Sequence, residues 1–167
     1  MEEKPRILVV EDEEPIRRLI RAALDPTAYS VTETGTGQDA LQLLAEQRFD
    51  LLILDLRLDG LSGWDVLERM RTRRLRDRVR VIILTAQSSE QDIFRGWREG
   101  VDQYCMKPFE PPQFVRIVEA VLASTDEELA RYRQSELEKT RAPQPGGPGV
   151  RGAVSAPSFP PPVTAPI

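Results

Sequence analysis

Five short apolar runs punctuate the chain: ILVV (7–10), YSVTET (29–34), LLIL (51–54), VIIL (81–84) and VDQYCM (101–106). Each has strand length. Between them apolar residues recur at helical spacing, first at Ile16, Leu19, Ile20 and Ala23, then at Ala40, Leu41 and Leu44, and later over 63–73, 89–98 and 111–123. The alternation predicts a βα unit repeated five times. Strands so separated by helices build an α/β fold, a doubly wound five-stranded parallel sheet covered on both faces. The first, third and fourth runs are unbroken and suit central strands; the second and fifth are interrupted by polar residues and suit edges. Helix starts agree: Pro15 sits where a first turn tolerates it, and SGWD (62–65) and SEQD (89–92) have capping-box spacing.

After Ala123 the segment STDEELARYRQSELEKTR either extends the last helix or starts a new one at the capping signal of Thr125 and Glu128. Leu122, Thr125, Leu129 and Tyr132 follow a heptad-like spacing that Glu136 interrupts, a short seam for pairing. From Pro143 onward, eight prolines and four glycines share 25 residues with one charge, Arg151, and no helical or strand period survives. Such a segment is expected to be disordered. The expected organisation is a folded domain over 1–123, a helical extension or linker helix over 124–141, and a Pro/Gly-rich tail over 142–167. FPPPVTAP within the tail has polyproline character, which in most chains is solvated rather than docked.

Composition narrows the chemistry. With no histidine, the 167-residue chain has no imidazole for catalysis, metal binding or phosphoryl transfer. Its single cysteine, Cys105, forms no internal disulfide and reads as packed core, which suits a reducing, cytoplasmic setting. The N-terminus MEEKPRILVVEDEE carries acids where a signal peptide has bases, and no apolar run approaches the ~18 residues of a membrane span, so no membrane association is expected. A formal charge of -4 offers nucleic acid no general attraction, and none is expected as a partner. The exception is RMRTRRLRDRVR (69–80), with seven arginines against one aspartate, read as the solvated end of a helix and its loop.

In an open parallel sheet, ligands bind beyond the carboxyl ends of the strands. Those ends carry Glu11 and Asp12 (first), Asp55 (third), Thr85 (fourth), and Tyr104 to Lys107 and Pro108 (fifth). Three carboxylates brought to one rim repel one another unless a cation holds them together. Mg2+ fits best, since it takes a few carboxylate or carbonyl oxygens, keeps waters and completes its shell with a phosphate oxygen. The Thr85 hydroxyl and Lys107 ammonium are donors suited to further phosphoryl oxygens. The rim reads as a site that handles a phosphoryl group.

The segments VVEDEE, LLILDLRLDGLSG, ILTA and EGVDQYCMKPF, in this order at these strand ends, resemble the response-regulator receiver domain of two-component signalling over about residues 5–123. The resemblance implies a flavodoxin-like (βα)5 sheet of order 2-1-3-4-5. It implies Asp55 as phospho-acceptor, Asp12 as a direct Mg2+ ligand, Glu11 as a water-mediated one and the Arg57 main-chain carbonyl as a third. Thr85 resembles the hydroxyl that moves toward the phosphoryl group, Lys107 its ion-pair partner, and Tyr104 the aromatic that follows Thr85. Lys107-Pro108 resembles a peptide that is cis in the family, an isomer open to it because the second residue is proline. The donor would be a sensor histidine kinase or phosphotransfer protein, and the output a partner or a homodimer through the face of the fourth helix, fifth strand and fifth helix. There Phe94, Trp97 and the seam beyond 122 offer apolar surface, with core packing the alternative for Trp97. The expectation is a stand-alone phospho-acceptor switch with slow autodephosphorylation, not a turnover enzyme, because no output domain is visible after residue 123.

This chain also departs from the family. Asp59 and Ser62 stand where members often carry proline and aspartate, which predicts a looser loop and an added carboxylate near the site. Arg57 and Gln87 occupy positions that tune the lifetime of the phosphorylated state. Among rivals, GTGQDA (35–40) matches the G-x-G-x-x-A of dinucleotide-binding oxidoreductases, with Asp55 twenty residues after Gly35. Against it, the preceding strand is polar and Glu33 would face the pyrophosphate. A carboxylate-nucleophile phosphatase would resemble D-x-D, but position 57 is Arg, and no P-loop pattern is present.

Overall fold

Strands form where the apolar runs predict them. The computed structural model describes residues 3–75, 79–86 and 89–141. They give β1 (Arg6–Val10), α1 (Glu14–Ala23), β2 (Ser30–Thr34), α2 (Gly37–Glu46), β3 (Leu51–Asp55), α3 (Gly63–Thr72), β4 (Arg80–Thr85), α4 (Glu90–Arg98), β5 (Gln103–Met106), α5 (Pro111–Ala123) and α6 (Asp126–Arg141). The sheet is parallel throughout, in the order β2-β1-β3-β4-β5. The polar second and fifth runs are its edges.

Alternation along the strands splits the core between the two faces. Leu8, Val10, Leu52, Leu54, Val81, Ile83 and Tyr104 pack on one side with Ala40, Leu41 and Leu44 of α2, Val66, Leu67 and Met70 of α3 and Trp97 of α4. Ile7, Val9, Leu51, Ile53, Ile82, Leu84 and Cys105 pack on the other with Ile20 of α1 and Phe114, Ile117, Val118 and Val121 of α5. Side-chain period two sends successive residues to opposite faces, so strands apolar at every position are buried on both. Cys105 lies in this core, where burial pushes its thiol up to about 12.

The capping boxes form. Ser62 accepts from the Asp65 N–H while the Asp65 carboxylate accepts from the Ser62 N–H, and Ser89 and Asp92 repeat the arrangement at α4. The chain after Ala123 also becomes definite. Ser124 turns to an extended backbone, its N–H and hydroxyl both donating to the Ala120 carbonyl. Thr125 and Glu128 then cap a separate helix: the Thr125 N–H donates to Glu128 Oε2 (2.7 Å) and the Glu128 N–H to Thr125 Oγ1 (3.2 Å).

Helix α6 packs against α4 and covers part of the expected apolar face. Trp97 is buried at 3 % exposure and Leu129 at 7 %, while Tyr132 and Leu137 pack against the same core. The seam beyond 122 thus turns partly inward, where Tyr132 meets Trp97 of α4. The basic stretch lies at the end of α3 and the loop beyond it; Arg69, Arg71, Arg73 and Arg74 are exposed, and Arg80 caps α5 by donating to the carbonyls of Val121 (2.6 Å) and Leu122 (2.7 Å). Among the described residues no helix is long and apolar enough to cross a membrane. Residues 76–78, Gln87 and the tail 142–167 lie outside the described residues.

Candidate functional site

Strands β1 and β3 are neighbours at the centre of the sheet, and both stop at the same edge. Asp55 is the last residue of β3, 4 % exposed, and Glu11, fully buried, directly follows β1. With half-buried Asp12 they bring one carboxylate oxygen each to within 4.8 Å of one another. Lys107, just past β5, reaches into this group. Its Nζ donates to Asp55 Oδ2 (2.6 Å) and lies 2.5 Å from Glu11 Oε2. The other Asp55 oxygen, Oδ1, accepts the Arg57 N–H (2.8 Å).

One ammonium does not balance three carboxylates. Burial, with the Asp55 charge adding to it, raises the Glu11 carboxyl to about 7, although Lys107 and the Glu13 N–H both pull it down. Burial works against the Lys107 ammonium, but its hydrogen bonds to Asp55 and Glu11 outweigh burial and the net shift is upward. Buried Glu11 Oε2 ion-pairs with Lys107 Nζ at 2.5 Å, and it shares that ammonium with Asp55. A buried oxygen so placed, in an all-oxygen donor set of surplus negative charge, fits a hard divalent cation such as Mg2+.

Local structure holds the rim in place. The Lys107 N–H donates to the Thr85 carbonyl (2.7 Å), tying β5 to β4 at the edge, and Lys107-Pro108 is cis. Thr85 ends β4 at 4 % exposure. The loop after Asp55 closes tightly: the Gly63 N–H donates to the Leu56 carbonyl, and a Cβ at Gly63 would stand 2.4 Å from the Asp55 carbonyl oxygen. Leu56 and Leu58 of this loop are buried, and Ser62 at its far end caps α3. Asp59 is exposed and stands outside the three-carboxylate group.

Tyr104 is brought to a different place. Its ring lies in the core under α4, and its hydroxyl donates toward the carbonyls of Ile93 (3.2 Å) and Asp92 (3.4 Å). Burial pushes its phenol well above the usual range. Arg17 escaped sequence reasoning: its Nη1 donates to the main-chain carbonyls of Glu11 (2.6 Å) and Asp12 (2.9 Å), fixing the acidic turn. Only its place one helical turn past that turn could have signalled it.

The glycine motif at 35–40 has a packing explanation. It follows edge strand β2, whereas a dinucleotide fingerprint opens the crevice where the strand order reverses. A Cβ at Gly37 would sit 2.8 Å from the Leu61 carbonyl and from Val66, so this glycine lets α2 approach α3. Thr36 caps α2 by accepting the Asp39 N–H, and Glu33 pairs with Arg21 (2.8 Å). The dinucleotide reading is set aside.

Residues 7–119 match the response regulator receiver domain family. The phosphate regulon transcriptional regulatory protein PhoB of Rhizobium meliloti is 38% identical over 125 residues, covering 75% of this chain and 55% of that protein. ResD of Bacillus subtilis, a transcriptional regulatory protein, is 37% identical over 117 residues, 70% of this chain and 48% of its own. The chain thus spans about half the length of these curated relatives. Among solved structures, the receiver domain of a Pseudomonas aeruginosa sensor histidine kinase, with a magnesium ion coordinated in its active site cleft, superposes with a TM-score of 0.65 at 30% identity, over 73% of this chain and all of that one (100%). Chemotaxis protein CheY4 of Vibrio cholerae shares the fold, with a TM-score of 0.66 at 24% identity over 71% of this chain and 99% of its own. Five parallel strands in this order, an acidic rim bridged by a lysine and a family match across most of the sheet lead to one assignment: the chain belongs to the response regulator receiver domains, the phospho-accepting modules of two-component signal transduction.

Proposed function

We propose that Asp55 accepts a phosphoryl group from the phosphohistidine of a sensor histidine kinase or phosphotransfer protein, at a site where Glu11, Asp12, Asp55 and the Arg57 main-chain carbonyl hold Mg2+. The observation that carries this reading is Lys107 Nζ, 2.6 Å from Asp55 Oδ2 and 2.5 Å from Glu11 Oε2, amid more carboxylates than it can neutralise. When bound, Mg2+ offsets that surplus charge and gives a phosphoryl oxygen a partner.

The chain's own groups do the rest. An Asp55 oxygen attacks phosphorus, the P–N bond to the donor imidazole breaks, and an acyl phosphate remains on the end of β3. The rigid strand holds the nucleophile in line. Lys107 transfers its hydrogen bond from the carboxylate to a phosphoryl oxygen, and the Thr85 hydroxyl donates to another. Position 57 offers Arg rather than an acid to activate water, so hydrolysis is slow and the chain acts as a switch rather than a turnover enzyme. Its output passes through Thr85 and Tyr104 to the face of α4 and β5, which a partner or a second copy reads.

Acetyl phosphate with Mg2+ should add one phosphoryl group to the intact mass of the wild type and none to Asp55→Asn. Labelling of Asp55→Asn at the wild-type extent, or labelling indifferent to EDTA, would overturn the proposal.

A further inference from the structure

Helix α6 is docked at the face through which the site would act. Nine of its sixteen residues are charged, and a helix of this length and composition is marginal alone in water. Its hold on the domain rests on few groups. Leu129 is buried, Tyr132 and Leu137 are half-buried, and Arg133 pairs with the buried Asp102 carboxylate. One feature works against tight docking along the whole helix. Farther along, Phe94 and Arg98 of α4 stand apart from Gln134, Leu137 and Glu138 of α6 around an open groove of about 500 Å³.

A contiguous set of rings joins this helix to the strand that carries Lys107. Tyr104 meets Trp97 edge-to-face at 5.1 Å between centroids, and Trp97 meets Tyr132 likewise at 5.7 Å. The Tyr104 hydroxyl is seated on the α4 backbone at Gly96, where a Cβ would come within 1.7 Å of it. Tyr104 lies three residues before Lys107, and its register partner Ile83 lies two before Thr85. Tyr104 therefore cannot move without disturbing α4 and the support of Trp97, and Trp97 in turn carries Tyr132.

We propose that α6 is a latch on the face of α4 and β5, docked while Lys107 is paired with the bare Asp55 carboxylate and released when Asp55 is phosphorylated. The inference rests on the reading of Asp55 as acceptor. In the docked state the chain's own helix occupies the surface that a second copy or another partner would use. The ligand at Asp55 shifts the latch only as far as it favours the arrangement with Tyr104 withdrawn from Trp97, and by linkage a loosened latch must favour the ligand by the same factor.

The test uses the full chain with Trp64→Phe, leaving Trp97 as its single tryptophan, and Mg2+ with beryllofluoride as phosphoryl mimic. Release should shift Trp97 emission to the red. It should also speed amide exchange over 126–141 by about fivefold or more, with 111–123 unchanged. Arg133→Gln and, independently, Leu137→Asp should tighten beryllofluoride binding, since both weaken docking without touching the acceptor site. The latch is overturned if the mimic binds, seen as thermal stabilisation absent in Asp55→Asn, while exchange in α6 stays constant or slows. Wild-type affinity in both loosened variants would overturn it equally. A wild-type chain that shows no stabilisation by the mimic would remove the acceptor reading and the latch with it.

Discussion

At the C-terminal ends of the strands Lys107 pairs with two of three clustered carboxylates; at their N-terminal ends Arg133 pairs with one. Both include a buried carboxylate, and both join a strand end to a cation from a distant part of the chain. Asp102 is fully matched: Oδ2 accepts the Val81 N–H (2.8 Å) and Oδ1 pairs with Arg133. The rim at Asp55 is short of positive charge: Glu11 and Asp55 share the Lys107 ammonium, and Asp12 brings a third carboxylate into the same group. Burial alone thus says little about purpose, and the charge balance separates the two: a satisfied pair ties elements together, an unsatisfied group awaits a ligand.

The largest expected effect comes from breaking the matched pair. Asp102→Ala strips the Val81 N–H and Arg133 of their acceptor and should cost about 3 kcal/mol in urea unfolding. Asp55→Asn removes a charge from an overcrowded site, so in chelator it should cost less than about 1 kcal/mol or stabilise. Equal losses from the two substitutions would dissolve the distinction.

A smaller effect follows from pH. The folded-state pKa of Glu11 is about 7 against an ordinary 4.5, so between those values the folded chain holds a proton that the unfolded chain lacks. Its contribution to stability is present below about pH 4.5 and is lost as pH rises through 7. In chelator the unfolding free energy should fall by about 1 kcal/mol from pH 6 to pH 8, with Glu11→Gln flattening the slope. Mg2+ competes with that proton and should reverse the trend. A metal-free stability that rises with pH across this window, in the wild type but not in Glu11→Gln, would show that Lys107 already balances the rim.

These two ends of the sheet also differ in how far they could be read from sequence. Glu11, Asp12, Asp55, Thr85 and Lys107 were legible because each ends or follows a short apolar run, and parallel topology sends all those ends to one edge. The edge positions of β2 and β5 followed from their polar residues, and both capping boxes from local spacing. Arg133 with Asp102 has no such signature, since the partners are 31 residues apart and joined only by the packing of α6. Leu129 and Tyr132 showed a seam but not its partner, because a heptad pattern is the same whether it faces a second copy or the chain's own α4. Arg17 was missed for a related reason: an arginine that donates to main-chain carbonyls looks like any solvent-facing helix residue.

The finest test weakens the matched pair without touching it. Thr125 caps α6 from outside the packed face, so Thr125→Ala leaves Arg133, Asp102 and the aromatic contacts intact while frayed first-turn amides lose a partner. Caps of this kind contribute about 1 kcal/mol. Since α6 holds few buried groups, the loss should appear as faster amide exchange within 126–141 ahead of any change in the exchange of the β-strands. Arg18→Ala provides the baseline, because its pair with Glu14 is exposed on both sides and such pairs contribute about 0.5 kcal/mol or less. If Thr125→Ala lowers strand protection as much as it lowers that of α6, the helix is an inseparable part of the domain, and the matched pair fixes the fold instead of fastening a detachable element to it.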